Sequence, residues 1–487
     1  AVGFKALTGI TTGINNIAIG SGSMAAVVDT EHDNIAIGTN AMGAVNQGTH
    51  ADSRNDRNIA IGTSALFGGT FGSSHKDLDD NVAIGYNAMD GTGTLAAADC
   101  VAIGSGALGG TWTGNPSSRN IAIGTEALSA ALNANSDHVA IGYHALKIAN
   151  PASSGAVAIG NSALASLTTG ANNLAVGYQA LDACNTGNSN IAVGSGALGA
   201  TTDGVANVGM GLGVLGTNVS GNYNTAFGHQ ALQTFNADVD GENTAVGINA
   251  LQASNTGVNN TVVGAFAGDA VTSQSNLVLI GKDAGGAINN NGASGTVAIG
   301  KSALNALTSG ANNVAVGINA LLVNNTGHEN TAVGRNVLDA CVDGAGNTAM
   351  GESSLTANVS ADNNTGFGAN SLGSATGAGN TGLGKAAGST ITGGTNNTCV
   401  GLNALTSAVG STNQSVIGQG TTGVANNSVT LGNASVTAVY MGQDGATGDG
   451  ATVYARSLEL LANSGGGHPV AKMSNHVADA EGATFQF

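Results

Sequence analysis

Charge is scarce in this chain. Of 487 residues only 8% are Asp, Glu, Lys or Arg, and they divide 29 acidic to 12 basic, a net charge of -17. No basic cluster exists for a nucleic-acid backbone to meet, and no polybasic segment for an anionic membrane. Aromatics are 3% of residues, with one Trp, and there are three prolines. No apolar run reaches the 18 or so residues a membrane-spanning helix needs. The four cysteines, Cys100, Cys184, Cys341 and Cys399, are separated by 84, 157 and 58 residues. Such gaps match no zinc or redox motif, and small buried thiols are expected instead. The nine histidines have no HExxH or Cys/His zinc spacing. No cofactor and no metal is expected.

The composition is not that of a disordered chain. Disordered chains combine high charge with low hydrophobicity, whereas 42% of these residues are hydrophobic. The 79 glycines, with abundant Ala, Asn, Thr and Val, suit short strands and turns rather than long helices.

Those residues recur in order. A Gly closing a short apolar run appears at 20, 38, 62 and 85, and then repeatedly to Gly432, making 24 copies with a commonest step of 17. A fixed period of this size marks a solenoid. Within a copy, apolar residues stand three before and one before the Gly, as in Ile17 and Ile19 or Val314 and Val316. A spacing of two puts both on one face of a strand. Between them is Ala in 16 of 24 copies, and four before the Gly is Asn in 17 of 24. Leu or Met usually follows four after the Gly, as in Leu181 and Leu321.

The chain therefore reads as all-β, a parallel β-solenoid of about 24 coils over residues 1–432, followed by a terminal cap or junction over 433–487. At about 4.8 Å per coil the stack is roughly 115 Å long. The flanking Val and Ile are expected to fill the core. Asn16, Asn173 and Asn330 are expected to make turns and a coil-to-coil amide ladder, with Gly177 and Gly317 supplying positive φ. On this reading the alanine stripe, with Ala18, Ala140, Ala175 and Ala315, faces outward. Exposed small apolar stripes mark interfaces, so three chains are expected to meet along it, with a dimer or monomer as alternatives. The opening AVGFKAL reads as the end of a repeat, so sequence upstream of it is expected.

The copies NIAIGSGS, NVAIGYNAM and HVAIGYHAL resemble the head repeat of trimeric autotransporter adhesins, the YadA-like head. NTAVGINAL, from Asn243, resembles more closely the repeats of bacteriophage tail fibres, as does the stretch from Ser428 to Leu460. The resemblance implies a left-handed β-roll forming a homotrimer, intertwined or side by side. It further implies a structural fibre for host attachment, located on a virion tail or an extracellular surface, with a host glycan or protein as partner. No heptad stalk and no self-cleaving chaperone junction is written in the sequence. The alternative is a bacterial autotransporter-like adhesin or a self-assembling extracellular filament subunit. No Ser-His-Asp or paired-carboxylate arrangement rises above the repeat, and an enzyme is not expected. Nucleic-acid binding and membrane insertion are not expected either. An ice-binding Thr grid is disfavoured because Thr, recurrent from Thr225, falls at a position read as core-facing.

Copies that break the pattern carry the contact residues expected on this reading. Extra length in a solenoid leaves the stack as loops, and long steps cluster between Gly38 and Gly124. Here the scarce charged and aromatic residues gather: Arg54, Arg57, Phe67, Phe71, His75, Lys76 and Trp112. Asp77, Asp79 and Asp80 are read as a solvated acidic loop, with a calcium site as the alternative. His138 stands where other copies have Asn and is read as structural.

Overall fold

The computed structural model describes residues 1–26, 31–46, 54–69, 77–93, 95–112, 116–130, 136–148, 155–289 and 291–436. Contacts divide the chain into two units, Ala1–Asn433 and Ala434–Phe487. Of the expected cap, all but residues 433–436 lies outside the described residues.

The first unit is a parallel β-solenoid. Twenty-four strands join into one sheet, each three residues long, from Ile17–Ile19 to Val429–Leu431. Each pairs with the next coil's strand in strict register: Ile17 with Ile35, Ala18 with Ala36, Leu174 with Ile191. A second, two-stranded sheet pairs Leu78–Asp79 with Ala97–Ala98, where the coils are longer. The only helical segments among the described residues are two short 3-10 turns, Asp90–Thr92 and Asn291–Ala293.

The faces are inverted relative to the expectation from sequence. Ala18, Ala140, Ala175 and Ala315 are fully buried, while Ile17 and Ile19 are 46% and 42% exposed. Leu174 and Val176 likewise flank a buried Ala175 without being buried themselves. The alanine stripe is therefore core and not a chain-facing surface. The reason is size. The coil is thin, and each strand faces its own returning segment, which already brings in Ala180 and Leu181. Little space remains between them, and a methyl group fills it. The bulkier β-branched side chains are turned outward, where a pleated surface accommodates them. The Thr file turns outward with them: Thr331, Thr348, Thr365, Thr381 and Thr398 occupy successive paired strands, none of them buried.

Glycine closes each strand for two reasons. Gly177 has φ of +141°, and a Cβ there would lie 2.4 Å from the carbonyl oxygen of Gly194 in the next coil. The return then uses the left-handed region twice, at Gln179 (φ 51°) and Leu181 (φ 51°), and the corner before the strand uses it again at Asn172 (φ 58°). Non-glycine residues pay for this conformation. It is held here by hydrogen bonds to both neighbouring coils: the Gln179 amide donates to Asn161 O and the Leu181 amide to Ala197 O.

Candidate contact surfaces

The buried corner is an asparagine file. The Asn190 amide and Nδ2 both donate to Asn173 Oδ1, at 2.9 and 3.2 Å, and Nδ2 also donates to Gly204 O at 2.7 Å. The Asn330 amide donates to Asn313 Oδ1 and its Nδ2 to Gly344 O, and Asn16 Oδ1 receives the amide of Asn34. One side chain thus links three coils, and its polar atoms are satisfied where water is excluded. Asn16, Asn173 and Asn330 belong to this ladder, while Gly177 and Gly317 belong to the glycine file.

The residues expected to contact a receptor separate. Arg57 lies on the surface, clamped to Asp80 at 2.6 and 2.8 Å and reaching Asp79 at 3.4 Å. Its hydrogen bond to Asp80 raises its own pKa and holds the Asp80 carboxyl below the usual range. Burial pushes Asp79 up. Asp79 Oδ1 accepts the amide of Asp56 at 2.8 Å, and Asp77 Oδ1 accepts that of Arg54 at 3.2 Å. These carboxylates brace neighbouring coils. Arg54 is exposed and Phe67 is 36% exposed. Phe71, His75 and Lys76 lie outside the described residues.

Trp112 is a correction. Only 5% exposed, it belongs to the hydrophobic core. Its amide donates to Gly91 O at 2.8 Å. The longer coil there gives a large ring room inside, as Phe235 also finds inside its own coil. Scarcity of a residue type therefore did not mark it as a surface contact.

The surface that sequence reasoning missed is the outer face of the sheet. The residue just before each Gly is apolar in every one of the 24 strands, from Ile19 to Leu431, and none is buried. Exposed Tyr86, Tyr143, Tyr178, Leu212 and Ile318 stand one residue after the Gly. The signal was present in the sequence. A position that is apolar in every copy reads as inward when hydrophobicity alone is the guide to burial.

On the turn face, Gly106 and Gly109 leave a polar depression of about 280 Å³ rimmed by Asn87, Asp90, Glu126 and Ser129. Glu126 is engaged by His144 Nε2 at 2.9 Å and Lys147 Nζ at 2.8 Å. All four cysteines are free thiols in the interior. Among the described residues, no helix is long and apolar enough to cross a membrane. No family model matches the chain, and no curated protein matches it.

Proposed function

We propose that this chain forms the shaft of an extracellular fibre for host attachment, of the phage tail-fibre kind. Three copies would pack as a left-handed roll, with no catalytic role. The observation that carries this reading is the outer file of apolar side chains. It runs along all 24 strands, and a lone chain would leave it in water. A continuous apolar patch of that length is characteristic of an interface, so the copies pack on this file in place of the alanine stripe. A stack in which each coil touches only its neighbours makes length and stiffness, which a shaft requires. Affinity for a host glycan or protein then comes from weak contacts repeated on each copy, with Arg54, Arg57 and Phe67 as the described candidates.

Light scattering of the folded protein tests the assembly. About three times the chain mass of 46.8 kDa is expected, and a value near 46.8 kDa overturns it. Antibody-labelled electron microscopy tests the role: label along tail appendages of virions supports it, and label confined to cell surfaces favours the bacterial adhesin.

A further inference from the structure

The asparagine file has a titratable member at position 138, where His stands in place of the usual Asn. His138 is fully buried. Its amide donates to Asn120 Oδ1 at 3.0 Å, as an asparagine's would. Its Nδ1 takes the role of the amide oxygen and accepts the Ala156 N–H of the next coil at 3.2 Å. An amide oxygen accepts hydrogen bonds at any pH, whereas an imidazole nitrogen accepts only while it carries no proton. The file also breaks at Ala156, whose side chain has no acceptor to pass on.

We infer that His138 makes the junction between the coils of Gly142 and Gly160 an acid-sensitive joint in the shaft. Protonation at Nδ1 turns the acceptor into a donor aimed at the Ala156 N–H, and water has no access there to relieve two opposed donors. The junction is intact above the ordinary imidazole range, about 6.5, and weakens as the pH falls below it.

The surrounding charges confine the effect. In the preceding coil Arg119 is paired with Asp137 at 2.7 and 3.1 Å. Arg119 holds the Asp137 carboxyl below its usual range, so this pair survives mild acid. It ties the coils of Gly124 and Gly142, on the other side of His138. Glu126 ties the same two coils through His144 and Lys147. In the following coil Gly155, Ala156 and Val157 bring no charge. Acid therefore leaves one junction firm and loosens the next.

Hydrogen exchange of the full chain, corrected for intrinsic rates, tests this in the wild type and in His138→Asn, which restores the residue used by other coils. Between pH of about 7.5 and about 5.0 the wild-type amides of residues 139–148 and 155–160 are expected to lose protection by roughly tenfold or more, while those of 191–211 hold. His138→Asn is expected to keep protection at both values. Equal acid response in the two proteins, or an unchanged wild type, overturns the inference.

Discussion

A glycine, an alanine and a leucine do most of the residue-scale work. Gly177→Ala places a methyl group against the Gly194 carbonyl in a conformation that L residues avoid, and is expected to cost about 1–3 kcal/mol or more. A lowered denaturation midpoint is the check. Volume is conserved from coil to coil. Leu279 stands where most strands have Ala, and the returning segments around it carry Gly268 and Gly285 in place of Leu. A Cβ on Gly285 would lie 2.9 Å from Leu279 Cδ2. Leu279→Ala alone is expected to cost about 2–5 kcal/mol. Adding Gly285→Leu, which rewrites the coil in the common pattern, is expected to recover part of that loss. A double-mutant cycle measures the coupling, and simple additivity contradicts the exchange of volume. Burial pushes the Cys184 thiol up to about 12, and those of Cys100, Cys341 and Cys399 to about 11. The neutral thiol is therefore favoured in the folded state. Its contribution is complete below the ordinary thiol range and is lost as pH rises from about 9 through the folded values. Cys184→Ala is expected to flatten the alkaline fall in stability, read from denaturant midpoints at pH about 8 and about 10.

At the scale of the element, the strand is too short to stand alone, and the ladder beside it sets the register. Asn207 gives its amide and Nδ2 to Asn190 Oδ1, gives Nδ2 also to Gly221 O, and accepts twice from Asn224. Asn260 lies at the end of a run. Its amide reaches Asn243, its Nδ2 reaches Gln274 O, and it accepts only the amide of Leu277. Removing a buried partner strands the groups it served, at about 1–3 kcal/mol. Asn207→Ala is therefore expected to destabilise more than Asn260→Ala in a urea titration, and the reverse order would deny the ladder its role. Serine extends the same economy inside the coil. Ser354 and Ser371 replace the inward Ala of the return, and their hydroxyls donate to Gly366 O and Gly382 O, where the facing strand has dropped its own Ala.

At the scale of the whole molecule, Arg119–Asp137 and Arg335–Glu352 are surface ion pairs that bridge coils, whereas Lys282–Asp283 joins neighbours within one coil. Such pairs contribute little singly. Cohesion along the axis comes from registered strands, the amide file and the Ala/Leu interior. Lateral cohesion in the proposed assembly comes from the outward file. Ile159→Lys with Val193→Lys is expected to leave the circular dichroism of the fold unchanged while the scattering mass falls to that of one chain. Ala175→Lys is expected to abolish the fold. If the outward pair also unfolded the chain, the assignment of faces would be wrong.

The sequence by itself determined the period, the parallel stacking, the glycine turns and the asparagine file, because each follows from a residue type recurring at a fixed offset. Ala175 and Val176 show where that reading ends. A period of two states that neighbouring residues face opposite ways, but not which of them faces inward. Hydrophobicity favoured valine for the core, and the width of the coil admitted only alanine. Trp112 was misplaced in the same way, since scarcity along the chain says nothing about the room available inside a longer coil. Only the tertiary structure decided both, because the volume between a strand and its own returning segment exists only once the coil has closed.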